Sequence, residues 1–77
     1  MRRIEILGPG CPRCRSLAEV AERALRELGV EYELEKVSEI DRIVARGVMA
    51  TPALVADGKV LVSGRVPSFE ECLRLLS

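Results

Sequence analysis

The sequence predicts an α/β domain with the element order βαβαββα, in which a four-stranded mixed sheet is flanked by three helices. Three observations predict this order: an apolar run leads into a long amphipathic segment, a second strand and a short helix follow, and an Asp-Gly turn joins two β-rich runs before a last helix. The strand-helix-strand unit predicts a right-handed parallel pair of strands, and the hairpin adds an antiparallel pair. We expect a single domain spanning residues 1–77.

The first half of the chain contains the clearest helix. Residues 1–7 include a short apolar run that ends at a Gly-Pro-Gly turn, as a buried strand would. From Pro12 to Leu28, apolar side chains recur with helical spacing, and Gly29 is placed to end the helix at the C′ position. In residues 30–37, apolar residues alternate with glutamates, which predicts a strand with one solvated side at a sheet edge.

A short amphipathic helix is predicted next. Ser38 and Asp41 have the spacing of a helix cap, and Gly47 follows as the residue that closes the helix. We expect the apolar face of this helix to consist of Ile40, Ile43 and Val44.

The last third of the chain predicts a hairpin and a final helix. Asp57-Gly58 lies between two β-rich runs, and this dipeptide is the strongest short-range signal for a type I′ turn. Ser68 followed by Glu71 has the capping pattern of a helix start. Cys72 falls on the apolar face of that helix, where we expect a small core residue.

Composition excludes several classes of function. Twelve basic and twelve acidic side chains cancel, so no bulk field recruits nucleic acid or an anionic membrane. No apolar run is long enough to span a bilayer, and the chain enters a strand too soon for a signal peptide, so we expect a cytoplasmic location. We also expect a monomer. Histidine is absent, which removes histidine-based acid–base catalysis and histidine metal ligands. We expect no cofactor.

Cys11 and Cys14 lie three residues apart, at the point where the first strand gives way to the first helix. A helix N-terminus has unpaired N–H groups and the positive end of the helix dipole, so a thiol at Cys11 ionises more readily, and Arg13 and Arg15 act in the same direction. Pro12 suits the first helical position. We assign Cys11 as the attacking sulfur and Cys14, one turn further on the apolar face, as the resolving sulfur.

A structural disulfide is the simplest competing interpretation of this pair. In the chain-entropy model a four-residue loop contributes only ~2 kcal/mol, whereas a bond from either cysteine to Cys72 would close roughly sixty residues and contribute ~4 kcal/mol. A stabilising bond would therefore be better placed elsewhere. Metal sites share the C-x-x-C spacing, but the position between a strand and a helix favours redox use.

With the C-P-x-C motif after the first strand and Thr51-Pro52 just before the third, the sequence resembles the thioredoxin/glutaredoxin superfamily over nearly its whole length. It looks closest to the small single-domain redox-active disulfide proteins, which are similar to glutaredoxin in size and to thioredoxin in activity. The resemblance implies a minimal thioredoxin fold, with Cys11 and Cys14 as the redox pair and a cis Pro52 packed beside them. It also implies that Thr51 offers backbone groups to an extended substrate segment.

Glu5 has two interpretations. It lies six residues before Cys11, a spacing similar to that of the buried thioredoxin carboxylate that handles the proton of the resolving cysteine, which makes Glu5 a candidate proton acceptor. Alternatively, the side chain reaches solvent past a small sheet, as long charged side chains commonly do, and we favour this interpretation.

The sequence also departs from the family patterns. Gly10 stands where thioredoxins have an aromatic residue before the motif, and Ser63-Gly64-Arg65 stands where glutaredoxins have an acidic glutathione-binding motif. These departures count against glutathione as the reductant. The alternative is a flavoprotein reductase or another dithiol donor.

The predicted function is thiol-disulfide exchange with protein disulfides through Cys11 and Cys14. One alternative is a metal-binding or metal-trafficking module similar to the small copper chaperones, which also place C-x-x-C between the first strand and the first helix. Those domains, however, run strand, helix, strand, strand, helix, strand. Another is a redox-inactive binding domain, which the retention of both cysteines disfavours.

Overall fold

The computed structural model describes residues 1–77 and confirms the predicted fold class and element order. Its four strands and three helices are β1 (Arg2–Leu7), α1 (Pro12–Leu28), β2 (Tyr32–Val37), α2 (Ile40–Ala45), β3 (Ala53–Ala56), β4 (Lys59–Ser63) and α3 (Phe69–Leu76). The strand order is β2-β1-β3-β4, with β1 parallel to β2 and antiparallel to β3, and with β3 antiparallel to β4. None of the three helices combines the length and the apolar composition that a membrane span requires.

The side chains of β1 alternate between the two faces of the sheet and so divide the core in two. Ile4 and Ile6 pack in a cluster with buried residues of α1 and α3, including Leu17 and Cys72. Leu7 belongs to a smaller cluster with Ile43 of α2. Helices α1 and α3 therefore cover one face, and α2 covers the other. Cys72 is fully buried, as expected of a small core residue.

Helix α1 has the predicted limits because both of its ends carry specific residues. Pro12 occupies the first turn, where the absence of an N–H group removes no hydrogen bond. Gly29 ends the helix with φ 70°, a left-handed conformation in which its N–H donates to the carbonyl of Arg26. The helix thus presents the two cysteines at its N-terminal end, next to the end of β1.

The hairpin between β3 and β4 has the predicted turn. Asp57 and Gly58 both have positive φ, 52° and 82°, as a type I′ turn requires. The Asp57 carboxylate also accepts hydrogen bonds from the backbone N–H of Arg3 and from Nε of Arg2. The turn is thereby fastened to the beginning of β1.

Helix α2 departs from the prediction in two respects. Its N-cap is Glu39 and makes no side-chain capping bond, so the cap predicted at Ser38 is wrong. Of the expected apolar face only Ile43 is buried, while Ile40 and Val44 are 74% and 64% exposed. The helix has six residues, fewer than two turns, and it turns a single apolar side chain towards the sheet. The other two face outwards.

Candidate active site

The thiols of Cys11 and Cys14 meet at the start of α1. Cys11 is the N-cap residue and is half-buried, whereas Cys14 is 5% exposed. Both are free thiols, and their Sγ atoms lie 3.1 Å apart within hydrogen-bonding distance. One sulfur is thus accessible to a partner, and the second lies directly behind it.

Hydrogen bonds lower the pKa of the Cys11 thiol below its ordinary value of 9.0. The thiol of Cys14 makes the largest contribution, the backbone N–H of Cys14 follows, and the backbone N–H groups of Arg13 and Cys11 add to it, while desolvation acts in the opposite direction. The lowered pKa that we expected at the helix start is therefore present, and it comes first from the Cys14 thiol and then from specific backbone N–H donors. In contrast, burial and the nearby Glu71 carboxylate raise the pKa of Cys72.

Gly8 provides the space that the Cys14 sulfur occupies, and the sequence did not identify this residue as part of the site. A Cβ atom at position 8 would lie 2.3 Å from the Cys14 Sγ and 3.7 Å from the Cβ of Thr51. The φ angle of Gly8 is not positive, so close packing, and not backbone conformation, requires glycine here. A glycine directly after a strand and shortly before paired cysteines is the only sequence signal for this role.

The loop before β3 lies beside the thiols. The Thr51-Pro52 peptide bond is cis, Pro52 is fully buried, and Thr51 is exposed. Neither the N–H nor the C=O of Thr51 takes part in a backbone hydrogen bond within the chain. The loop therefore has a free backbone donor and a free backbone acceptor at an exposed residue near the thiols.

Gly64 connects this loop to the first turn of α1. Its N–H donates to the carbonyl of Pro52 at 2.9 Å, and its own carbonyl accepts a hydrogen bond from Nη2 of Arg13 at 3.1 Å. The guanidinium of Arg13 is thus used to join the two parts of the site.

An apolar groove of about 670 Å³ opens beside the thiols on the α2 side. Pro9 and Thr51 border it at the site, and Ile40, Val44 and Met49 line it further out. These last three are, with Met1, the large hydrophobic side chains that the chain exposes, and Met49 is 100% exposed. The outward side chains of α2 therefore form one wall of a groove that extends to Pro9 and Thr51 at the site.

Glu5 is buried, so the expectation that it reaches solvent is wrong. Its side chain is 7% exposed, and its two carboxylate oxygens accept hydrogen bonds from Arg46 Nε and Nη2 at 2.9 and 3.0 Å. Glu5 points to the face of the sheet covered by α2, whereas Cys14 lies on α1, and no hydrogen bond links the two. The ion pair makes burial of this charge tolerable, which sequence spacing did not show.

No group of three or more cysteine, aspartate or glutamate side chains is arranged to hold a metal ion. The order of elements also differs from the strand-helix-strand-strand-helix-strand order of the copper-chaperone domains. Neither observation supports the metal-binding alternative.

Comparison with known proteins places the chain among redox proteins. A family model described as a thioredoxin domain matches residues 2–77. A thioredoxin of Methanothermobacter thermautotrophicus is 43% identical over 77 residues, which cover all of both chains. A thioredoxin of Methanocaldococcus jannaschii is 38% identical over 68 residues, 88% of this chain and 78% of that protein.

Fold and relatives together define a thioredoxin-like redox protein of the disulfide oxidoreductase class. The chain belongs to the thioredoxin family. The resemblance inferred from the sequence is thereby confirmed.

Proposed function

We propose that this protein reduces disulfides of other proteins, with Cys11 as nucleophile and Cys14 as resolving thiol. The observation that carries the proposal is the position of the Cys11 sulfur, at the start of α1 and 3.1 Å from the buried Cys14 sulfur, with hydrogen bonds that lower its pKa. Only a thiolate attacks a disulfide, so a lowered pKa increases the reactive fraction at neutral pH.

The reaction proceeds in two exchanges. The Cys11 thiolate attacks one sulfur of the partner disulfide, that S–S bond breaks, and a mixed disulfide and one partner thiolate form. Cys14 then loses its proton and attacks the Cys11 sulfur, which releases the second partner thiolate and closes the Cys11–Cys14 disulfide. Two electrons pass to the partner, and two thiols of a reductase or dithiol donor return them.

The free backbone groups of Thr51 support a role in holding the substrate. An extended segment that pairs with a free N–H and C=O gains main-chain hydrogen bonds without a strict sequence requirement. In this proposal Thr51 aligns the partner segment, Pro52 lies buried beside it, and Pro12 begins the helix that carries the thiols. The flavoprotein reductase, the cytoplasmic location and the monomeric state stay predictions.

An insulin reduction assay tests the nucleophile. We expect the reduced wild-type protein to precipitate insulin B chains in the presence of dithiothreitol, and Cys11→Ser to lose this catalysis. Cys72→Ser is the matched control, because Cys72 is buried in α3 and should leave turnover unchanged. Equal rates for wild type and Cys11→Ser, or stoichiometric metal on the purified protein, would contradict the proposal.

A trapping experiment tests the resolving thiol. We expect Cys14→Ser to accumulate mixed disulfides with partner proteins, because the second exchange cannot occur without the Cys14 sulfur. Adducts should be released by dithiothreitol and absent from the Cys11→Ser/Cys14→Ser double variant. Failure to recover any thiol-sensitive adduct would contradict the assignment of Cys14.

A further inference from the structure

We infer that Glu5 and Arg46, assisted by Arg42, are positioning residues that hold α2 in place and so fix one wall of the apolar groove beside the thiols. The inference rests on the proposed function, since it concerns how protein substrates are recognised at that same site. It gives Glu5 a role different from that of a proton acceptor for Cys14.

The ion-pair cluster joins α2 to two strands. Glu5 of β1 is the one charged residue of the chain that is buried, and Arg46, directly after α2, binds both of its oxygens. Arg42, one turn earlier, lies 3.9 Å from Glu5 and binds both oxygens of Glu35 on β2 at 2.8 and 3.0 Å. Two arginines spaced by one turn thus hold the helix over β1 and β2.

Little else fastens α2 to the sheet. Among its six residues only Ile43 is buried, and a crevice of about 170 Å³ remains beside Glu5 and Leu7, under Ala45. A helix of this length is not stable on its own in water, because nucleation outweighs the few hydrogen bonds it forms. The position of α2 therefore depends on the ion pairs together with the apolar contacts of Ile43 and of Val48, which follows the helix and is buried in the same cluster.

The same helix forms the recognition surface. Ile40 and Val44 project from its outer side into the groove, and Met49 follows shortly after it. If the cluster is broken, these side chains lose their fixed positions, and a substrate has to order them on binding. The thiols are held separately, because α1 packs on the other face of the sheet and Cys14 rests against Gly8.

The two roles for Glu5 predict different kinetics. A proton acceptor assists every disulfide exchange, so disturbing it would slow reactions with small and large disulfides alike and alter their pH profile. A positioning residue for the groove acts only on substrates large enough to contact α2. Replacement of Arg46 separates these cases, because it removes the partner of Glu5 and leaves the carboxyl group in place.

The test uses Arg46→Met, with Arg46→Lys as the conservative variant and Arg3→Met as the matched control. Arg3 of β1 pairs with Glu33 of β2 at 3.5 Å, on the same two strands as Glu5 and Glu35, but the Arg3–Glu33 pair is exposed. For Arg46→Met we expect the KM for insulin to rise roughly fivefold and kcat to stay nearly unchanged. This factor corresponds to the free-energy cost of ordering one or two side chains of the groove when the substrate binds. Arg46→Lys should give a smaller rise, since one charged contact is retained.

Two further measurements accompany the kinetics. The rate of reaction with a small disulfide, 5,5′-dithiobis(2-nitrobenzoic acid), should keep its magnitude and pH profile in Arg46→Met. Amide hydrogen exchange should become faster in residues 40–48 and stay unchanged in α1, which reports loosening of α2 without reference to activity. Arg3→Met should match the wild type in all three measurements.

The possible failures are distinguishable. A wild-type protein that does not reduce insulin refutes the proposed function, and the inference with it, whatever the variants do. If the wild type is active but Arg46→Met keeps its KM and its exchange rates, or slows equally with both disulfides, the inference is wrong. Should Arg46→Met not fold, Arg46→Lys decides: a raised KM supports the inference and an unchanged KM overturns it.

Discussion

Replacement of Gly8 by alanine tests whether packing behind the thiols sets their arrangement. The added Cβ would lie 2.3 Å from the Cys14 sulfur, whereas non-bonded heavy atoms settle at about 3.5–4.0 Å, so the sulfur has to move by roughly 1.2–1.7 Å. Overpacking of this kind costs about 1–3 kcal/mol, a large part of the roughly 4–12 kcal/mol expected for a domain of this size. The displacement also breaks the 3.1 Å contact that contributes most to the lowered pKa of Cys11.

Two assays on the reduced protein measure these effects. Guanidinium unfolding of Gly8→Ala should give a free energy of unfolding lower by about 1–3 kcal/mol, and iodoacetamide alkylation should show a pKa of Cys11 closer to 9.0 than in the wild type. Gly29→Ala is the control, since it introduces left-handed strain of about 1 kcal/mol at a position with no neighbouring atoms and should leave the alkylation profile unchanged. A Gly8→Ala protein within about 0.5 kcal/mol of the wild type and with an unaltered thiol would refute the reasoning.

Three other predictions follow from individual contacts. In the wild type, the alkylation rate of Cys11 should rise with pH through a midpoint below 9.0 and then level off, because the thiolate is the reactive form; a midpoint at or above 9.0 would contradict the hydrogen bonds described. Ser68→Ala should lower the free energy of unfolding, measured with urea, by about 1 kcal/mol, because the Ser68 Oγ accepts a hydrogen bond from the N–H of Glu71 at the start of α3. Ser77→Ala, at the other end of the helix, is the control. The backbone N–H of Arg3 and then the side chain of Arg2 lower the pKa of Asp57 below 3.8, so its contribution to stability is present above that value and is lost as the pH falls through the lower folded value. The difference in unfolding free energy between wild type and Asp57→Asn should therefore shrink as the pH falls below 3.8, and a constant difference would argue against this assignment.

The sequence predicts those parts of the fold whose signals are local. Apolar spacing and a terminal glycine define α1 to the residue, and Asp57-Gly58 defines the hairpin because the turn type demands positive φ at both positions. The pair of cysteines likewise indicates its own location at a helix start. Each of these features is set by neighbours within a few positions along the chain.

The remaining features depend on contacts between distant parts of the chain. Glu5 is buried because Arg46, 41 residues later, pairs with it, and no pattern around Glu5 identifies that partner. Ile40 and Val44 have the spacing of a core face, yet the crossing of α2 over the sheet turns only Ile43 inwards. The sequence around Gly8 indicates only the end of a strand. Its role in making room for the Cys14 sulfur appears only when α1 packs against β1.

The two hydrogen bonds of Gly64 connect the loop before β3 to the start of α1. Pro52 and the first turn of α1 are tied to each other through this residue, and residues 38–50 make no hydrogen bond to it. If the groove recognises substrates as proposed, exchange of that stretch, by evolution or by design, should alter which partners are accepted and leave the arrangement of the thiols unchanged. On this proposal, the 77 residues carry the thiols and the apolar recognition surface on different stretches of the chain.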